Sequence, residues 1–110
     1  MRDRRKHHRS SIDLLVNKYV GDQPHLCRAV NISRRGMLVH KIFEPDLPIG
    51  EVEIEFQLPG DEKVIRVHGV ALAEHRESRT QGLRFSQLAP EDAILIDAWL
   101  ADPDRETATG

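Results

Sequence analysis

The feature that most constrains this fold is a strict alternation over residues 51–58. Val52, Ile54, Phe56 and Leu58 alternate with Glu51, Glu53, Glu55 and Gln57. Successive strand side chains point to opposite faces, so this run has one apolar and one wet face and belongs in an antiparallel sheet buried on one side. Weaker runs of the same kind lie on either side. In residues 12–17, Ile12, Leu14 and Val16 alternate with Asp13 and Asn17, and Leu15 breaks the pattern. Over residues 26–33 the alternation predicts Leu26, Val30 and Ile32 on one face, with Cys27, Ala29, Asn31 and Ser33 on the other. A third run at 37–43 ends in the Pro-containing loop 44–48, and turns are expected at 21–24 and at Pro59-Gly60-Asp61.

Residues 64–75 form a long run with a parity defect. Ile65 and Val67 share one phase and Val70 and Leu72 the other, which predicts a bulge at Gly69 that swaps the faces. Gly82-Leu83-Arg84-Phe85 reads as a last short strand. The period then changes: Pro90 suits a first helical position, Glu91 and Asp92 suit the positive end, and an apolar stretch with Ile94, Leu95 and Trp99 as its packing face runs to Leu100. Asp102-Pro103 stops the helix. The expected architecture is an all-β, six-stranded antiparallel barrel with a C-terminal α-helix, spanning residues 11–101, behind a flexible basic arm (1–10) and before a polar tail (102–110).

Charge is unevenly distributed. Residues 1–9 hold five basic side chains against Asp3, a net +4, while the remaining eleven basic and seventeen acidic side chains give −6. A basic arm on an acidic body seeks phosphate, an anionic membrane or an acidic patch. No apolar run is long enough for a membrane span, no apolar segment follows the arm as in a secretory signal, and the single Cys27 builds neither a disulfide nor a zinc site. The expected location is the cytoplasm.

Three motifs carry chemistry: Arg5-x-x-x-Arg9 directly after Arg4; Asn31-x-Ser33-x-x-Gly36, beginning 22 residues after Arg9; and Gly82-x-Arg84-Phe85. From ordinary residue frequencies, the first arises by chance in about a quarter of chains this long and the second in about one in twenty, so the weight rests on their joint occurrence in this order. Asn31 and Ser33, two apart on a strand, share a face about 7 Å from one another. An amide beside a hydroxyl suits a purine edge or a ribose. Gly36 allows positive φ or close approach by a ligand. Arginine forks bind phosphate or the O6/N7 edge of guanine, and guanidinium planes stack on bases. The ligand that satisfies all of these groups is small, anionic and guanine-bearing.

This pattern resembles the PilZ domain, a bacterial receptor module for cyclic di-GMP, whose signature is RxxxR followed by [D/N]xSxxG on a six-stranded barrel. The matches are Arg5 and Arg9, then Asn31, Ser33 and Gly36, and Gly82-Leu83-Arg84-Phe85 looks like the family's late strand. The resemblance implies an arm that folds over cyclic di-GMP while Asn31 and Ser33 hold guanine from the barrel surface. A basic residue before RxxxR, as Arg4 is, looks like variants that accept an intercalated dimer of the dinucleotide. Arg34 and Arg35 stand in the intervening loop, where phosphate contact and simple exposure are equally open. Arg84 is read first as an ion-pair partner and second as a ligand contact.

The implied mechanism is an order switch. The empty arm repels itself and has no apolar anchor, so it is expected to be mobile until a dianionic ligand lets charge-assisted bonds form together. Ordering five residues costs about 5 to 10 kcal/mol, which contacts must exceed to reach micromolar affinity, about −8 kcal/mol. The output passes to a downstream protein in trans. No nucleophile, metal-ligand spacing or cofactor motif is visible, so no enzyme and no cofactor are expected; His40 and His68 read as sheet residues. Three plainer readings stand beside this one. In the first the arm is only a solvated tail, with Ser33 capping a plain hairpin turn and Gly36 at positive φ; in the second the barrel is an interaction module that binds no nucleotide; in the third the chain is a small nucleic-acid binder, which the acidic body and few aromatics disfavour.

Overall fold

The computed structural model describes residues 10–42 and 49–102. The arm with Arg4, Arg5 and Arg9, the 44–48 loop and the tail from Pro103 lie outside the described residues. Six antiparallel strands, β1 (Ser10–Val20), β2 (Gln23–Ser33), β3 (Gly36–Lys41), β4 (Gly50–Gln57), β5 (Val64–His75) and β6 (Thr80–Gln87), precede one helix, α1 (Pro90–Ala101). They close into a barrel in the order β1-β2-β3-β6-β5-β4, with β4 pairing back onto β1. Closure gives every strand a neighbour on both sides, although β4 meets β1 only over residues 17–19.

The alternation in β4 is realised: Val52, Ile54 and Phe56 are buried among Val16, Ile32, Val39, Ile65, Val67 and Leu83. Two parity readings are corrected. In β2 the inward side chains are Cys27 and Ala29, both fully buried, while Leu26 is 38% exposed. The pairing with β3 skips a residue between Ala29 and Asn31, a bulge at Val30 that returns Ile32 to the core. In β5 no swap occurs at Gly69. Ile65, Val67, Gly69 and Ala71 face inward without interruption, and Leu72 is 42% exposed. The register with β6 does shift beside Gly69, but the extra residue there belongs to β6; the bulge in β5 falls later, between Ala71 and Glu74. Gly69 is glycine because a Cβ would meet the Arg84 carbonyl oxygen at 2.6 Å and Ile54 Cδ1 at 2.8 Å.

α1 begins at Pro90 with Glu91 and Asp92 in its first turn, as expected. Its packing face is corrected. Ile96 and Leu100 enter the core, Leu95 and Trp99 pack at its rim, and Ile94 is 68% exposed. Lys63 Nζ donates to the buried Asp92 carboxylate at 2.7 Å, tying the helix to the segment before β5. One more inward position went unread. The apolar phase of β1 continues past Val16 to Lys18, which is fully buried and donates to Gln81 Oε1 at 3.0 Å; Gln81 in turn donates to the Leu72 carbonyl at 2.7 Å. A buried polar group needs such partners, and these lie at the barrel end away from the β2–β3 hairpin.

Candidate functional site

The Asn31-to-Gly36 motif closes β2 onto β3 through the loop residues Arg34 and Arg35. Hairpins this short ordinarily use residues at positive φ, which match the strand twist. Neither arginine has positive φ. The turn is held by side chain and neighbour instead: the Arg35 backbone N–H donates to the Ser33 hydroxyl at 3.2 Å, and the Arg35 carbonyl accepts from the Phe85 N–H at 2.8 Å. Ser33 is therefore the turn cap that the plain-hairpin reading predicted, and it is 1% exposed.

Gly36 departs from both expectations. Its φ is not positive, and the backbone that approaches it is that of β6. A Cβ here would run into the Leu83 carbonyl and lie 3.0 Å from Arg84 Cα. The glycine serves barrel closure.

Asn31 behaves differently. Its Oδ1 is buried and has no hydrogen-bond partner among the described residues. A buried amide acceptor costs free energy unless paired, so this atom marks a place where a donor belongs. Asn31 lies directly after the Val30 bulge and pairs across β1 with Ser11, while Ser10 pairs with Ile32. The basic arm therefore joins the barrel beside Asn31.

The late motif lies against the early one. Gly36 pairs with Arg84 and Leu38 with Gly82 across β3 and β6. Phe85 stacks on Phe56 with ring centroids 6.1 Å apart. Arg34 faces the helix, with Nε 3.8 Å from Asp97 Oδ1. Arg84 forms no ion pair among the described residues, contrary to its first reading. The structure thus brings Asn31, Ser33, Gly36, Arg34, Arg35 and Arg84 to one end of the barrel. His40 and His68 are exposed, the latter 3.8 Å from Glu53. No group of metal-ligating side chains forms, and no helix is long and apolar enough to cross a membrane, among the described residues.

A closed six-stranded antiparallel barrel followed by a C-terminal helix defines a class of small β-barrel domains. Within it the assignment is specific: the PilZ domain profile matches residues 3–102, and the chain belongs to the PilZ domain family. Among solved structures it is similar to the Bacillus subtilis inhibitor of motility MotI/DgrA, with a TM-score of 0.74 and 19% identity over 97% of this chain and 53% of that one. It is also similar to the PilZ domain of Escherichia coli YcgR with c-di-GMP, with a TM-score of 0.73 and 16% identity, covering 97% and 96% of the two chains. The longer structure of YcgR in complex with c-di-GMP gives a TM-score of 0.66 at 16% identity, covering 96% and 48%. The chain spans about half the length of MotI/DgrA and of this longer YcgR structure. At these identities the likeness is one of fold. No protein of curated function matches it significantly in sequence.

Proposed function

We propose that the chain is a cyclic di-GMP receptor that acts in the cytoplasm, in which Arg5 and Arg9 close over a dinucleotide seated on Asn31 and Ser33. The observation that carries this reading is the unpartnered, buried Asn31 Oδ1 beside the root of the arm. Guanine carries N–H donors on its pairing edge, which suit that acceptor. Arg9 directly precedes Ser10, and five extended residues reach about 17 Å, so Arg5 can reach the hairpin end. Both YcgR structures are with c-di-GMP, which supports the choice of ligand. The closed arm and the hairpin surface together form the output read by a downstream protein.

Titration calorimetry with cyclic di-GMP tests this directly. The wild-type chain binds, and Arg5→Ala or Arg9→Ala abolishes the heat while the melting temperature of the empty protein stays unchanged, because the core begins at Ile12. Unfolding by either substitution would show the arm to be structural and overturn the switch. One observation favours a second reading. Ser33 and Gly36 both have complete structural roles, so a barrel that binds no nucleotide would keep them. That interaction module predicts no heat with wild type at all.

A further inference from the structure

The outer wall beside the hairpin holds a hollow that Gly36 of the signature shares with residues to which the signature gives no role. It is about 210 Å³ in volume, floored by Leu38, Leu72 and Gly82, and flanked by Arg35 and Arg84. Sites that enclose a whole small ligand run to about 300 to 1,000 Å³, so this one takes a single ring of a molecule held mainly elsewhere. Gly82 makes the hollow. It stands opposite Leu38, and a Cβ at that position would press on Leu72 Cδ1 at 3.3 Å.

The two arginines are poised alike. Arg84 lies directly across from Gly36, next in sequence to Arg35, and the Arg35 backbone is fixed by the Ser33 hydroxyl and the Phe85 N–H. Neither arginine is ion-paired among the described residues, whereas the neighbouring Arg34 is engaged with Asp97. Two arginines that border one hollow, without ion pairs among the described residues and over an apolar floor, suit a phosphate joined to a flat base.

We infer that Arg35 and Arg84 form a second anion locus, clamping a phosphate of the cyclic dinucleotide while one purine ring rests on the Leu38–Leu72–Gly82 floor. This rests on the receptor reading above and assigns part of its specificity to Arg35, at a variable position within NxSxxG, and to Arg84, outside both RxxxR and NxSxxG. Arg34, although it has the same charge and stands in the same loop, takes no part.

The test is a calorimetric titration of the full chain with cyclic di-GMP. Arg35→Gln and Arg84→Gln each weaken binding about tenfold or more, as loss of a charge-assisted contact would. Arg34→Gln changes the affinity less than about twofold, the scale of a screened surface charge. Gly82→Ala, which fills the floor at an ordinary backbone conformation, also weakens binding, with the melting temperature of the empty protein held. Equal losses from all three arginine variants would reduce the clamp to general electrostatics and overturn it. Wild-type affinity in Arg84→Gln would do the same. Absence of heat with the wild-type chain would instead remove the receptor reading itself.

Discussion

At the scale of single residues, the three positions of the NxSxxG motif do three different things. Ser33 caps a turn, Gly36 admits the β6 backbone, and Asn31 alone presents an unused polar atom. Their substitutions should separate accordingly. Asn31→Ala removes a buried acceptor that has no partner among the described residues, so the empty protein is expected to be as stable as wild type or slightly more so, while affinity for cyclic di-GMP falls. Gly36→Ala drives a Cβ into the Leu83 carbonyl and destabilises the empty protein by about 1 to 3 kcal/mol or more, the scale of overpacking. Thermal melts without ligand, set beside titrations, distinguish the two; a destabilised Asn31→Ala would show that Oδ1 has a structural partner. Ser33→Ala should register in both measurements, because the Arg35 N–H loses its acceptor. The sequence identified all three positions as a set. It could not apportion their roles, because what surrounds Gly36 comes from a strand some 47 residues away in the chain.

At the scale of elements, the clean alternation of β4 was legible and the bulged strands were not. A bulge is a disagreement between two strands about residue count, and one strand's sequence records it only as a parity defect. In β5 the defect between Val67 and Val70 suggested Gly69, yet the extra residues lie on β6 and at Leu72–Ala73, and Val70 simply faces outward. Lys18 escaped notice because a lysine in an apolar phase looks like the end of a strand until Gln81 is seen opposite its amine. The outer wall of β4 and β5 carries a pH signature. Arg66 donates to Glu53 at 2.7 Å and lies 4.6 Å from the Tyr19 ring centroid. The hydrogen bond from Arg66, more than its charge alone, holds the Glu53 carboxyl below its ordinary value. A depressed carboxyl contributes stability above its unfolded value and loses it as pH falls through the folded one. Arg66→Met should therefore lower the melting temperature slightly at pH 7, and the deficit should fade as the pH falls below the ordinary glutamate range and Glu53 takes up its proton. A deficit that persists once Glu53 is protonated in the folded protein would assign the loss to packing on Tyr19. Lys63 has the opposite sign: its bond to Asp92 raises its pKa, so that contribution persists at neutral pH and fades only above the ordinary lysine range.

At the scale of the whole molecule, closure of the barrel concentrates the described candidate contacts at one end and leaves the buried Lys18 and Gln81 at the other. Composition and periodicity led to an antiparallel barrel, but the strand order β1-β2-β3-β6-β5-β4, with its crossover from β3 to β6, is written in no run of residues and is seen only in the structure. That crossover matters to function, because it sets Gly82-Leu83-Arg84-Phe85 beside the hairpin and places three arginines (34, 35 and 84) near where the arm enters. The same end thus gathers basic groups from both halves of a chain whose body is net acidic. In the proposed closed state Arg4, Arg5 and Arg9 would add to that positive charge, more than a single dianionic dinucleotide would offset. Two intercalated dinucleotides carry twice the phosphate and match it better, and Arg4 is the member that lies outside RxxxR. Arg4→Leu should accordingly shift the calorimetric stoichiometry from two dinucleotides per chain toward one, with Arg5 and Arg9 still supporting the first. A wild-type ratio of one, or a ratio of two that survives the substitution, would detach Arg4 from stoichiometry and leave the charge at this end to be met by a single ligand and a partner surface.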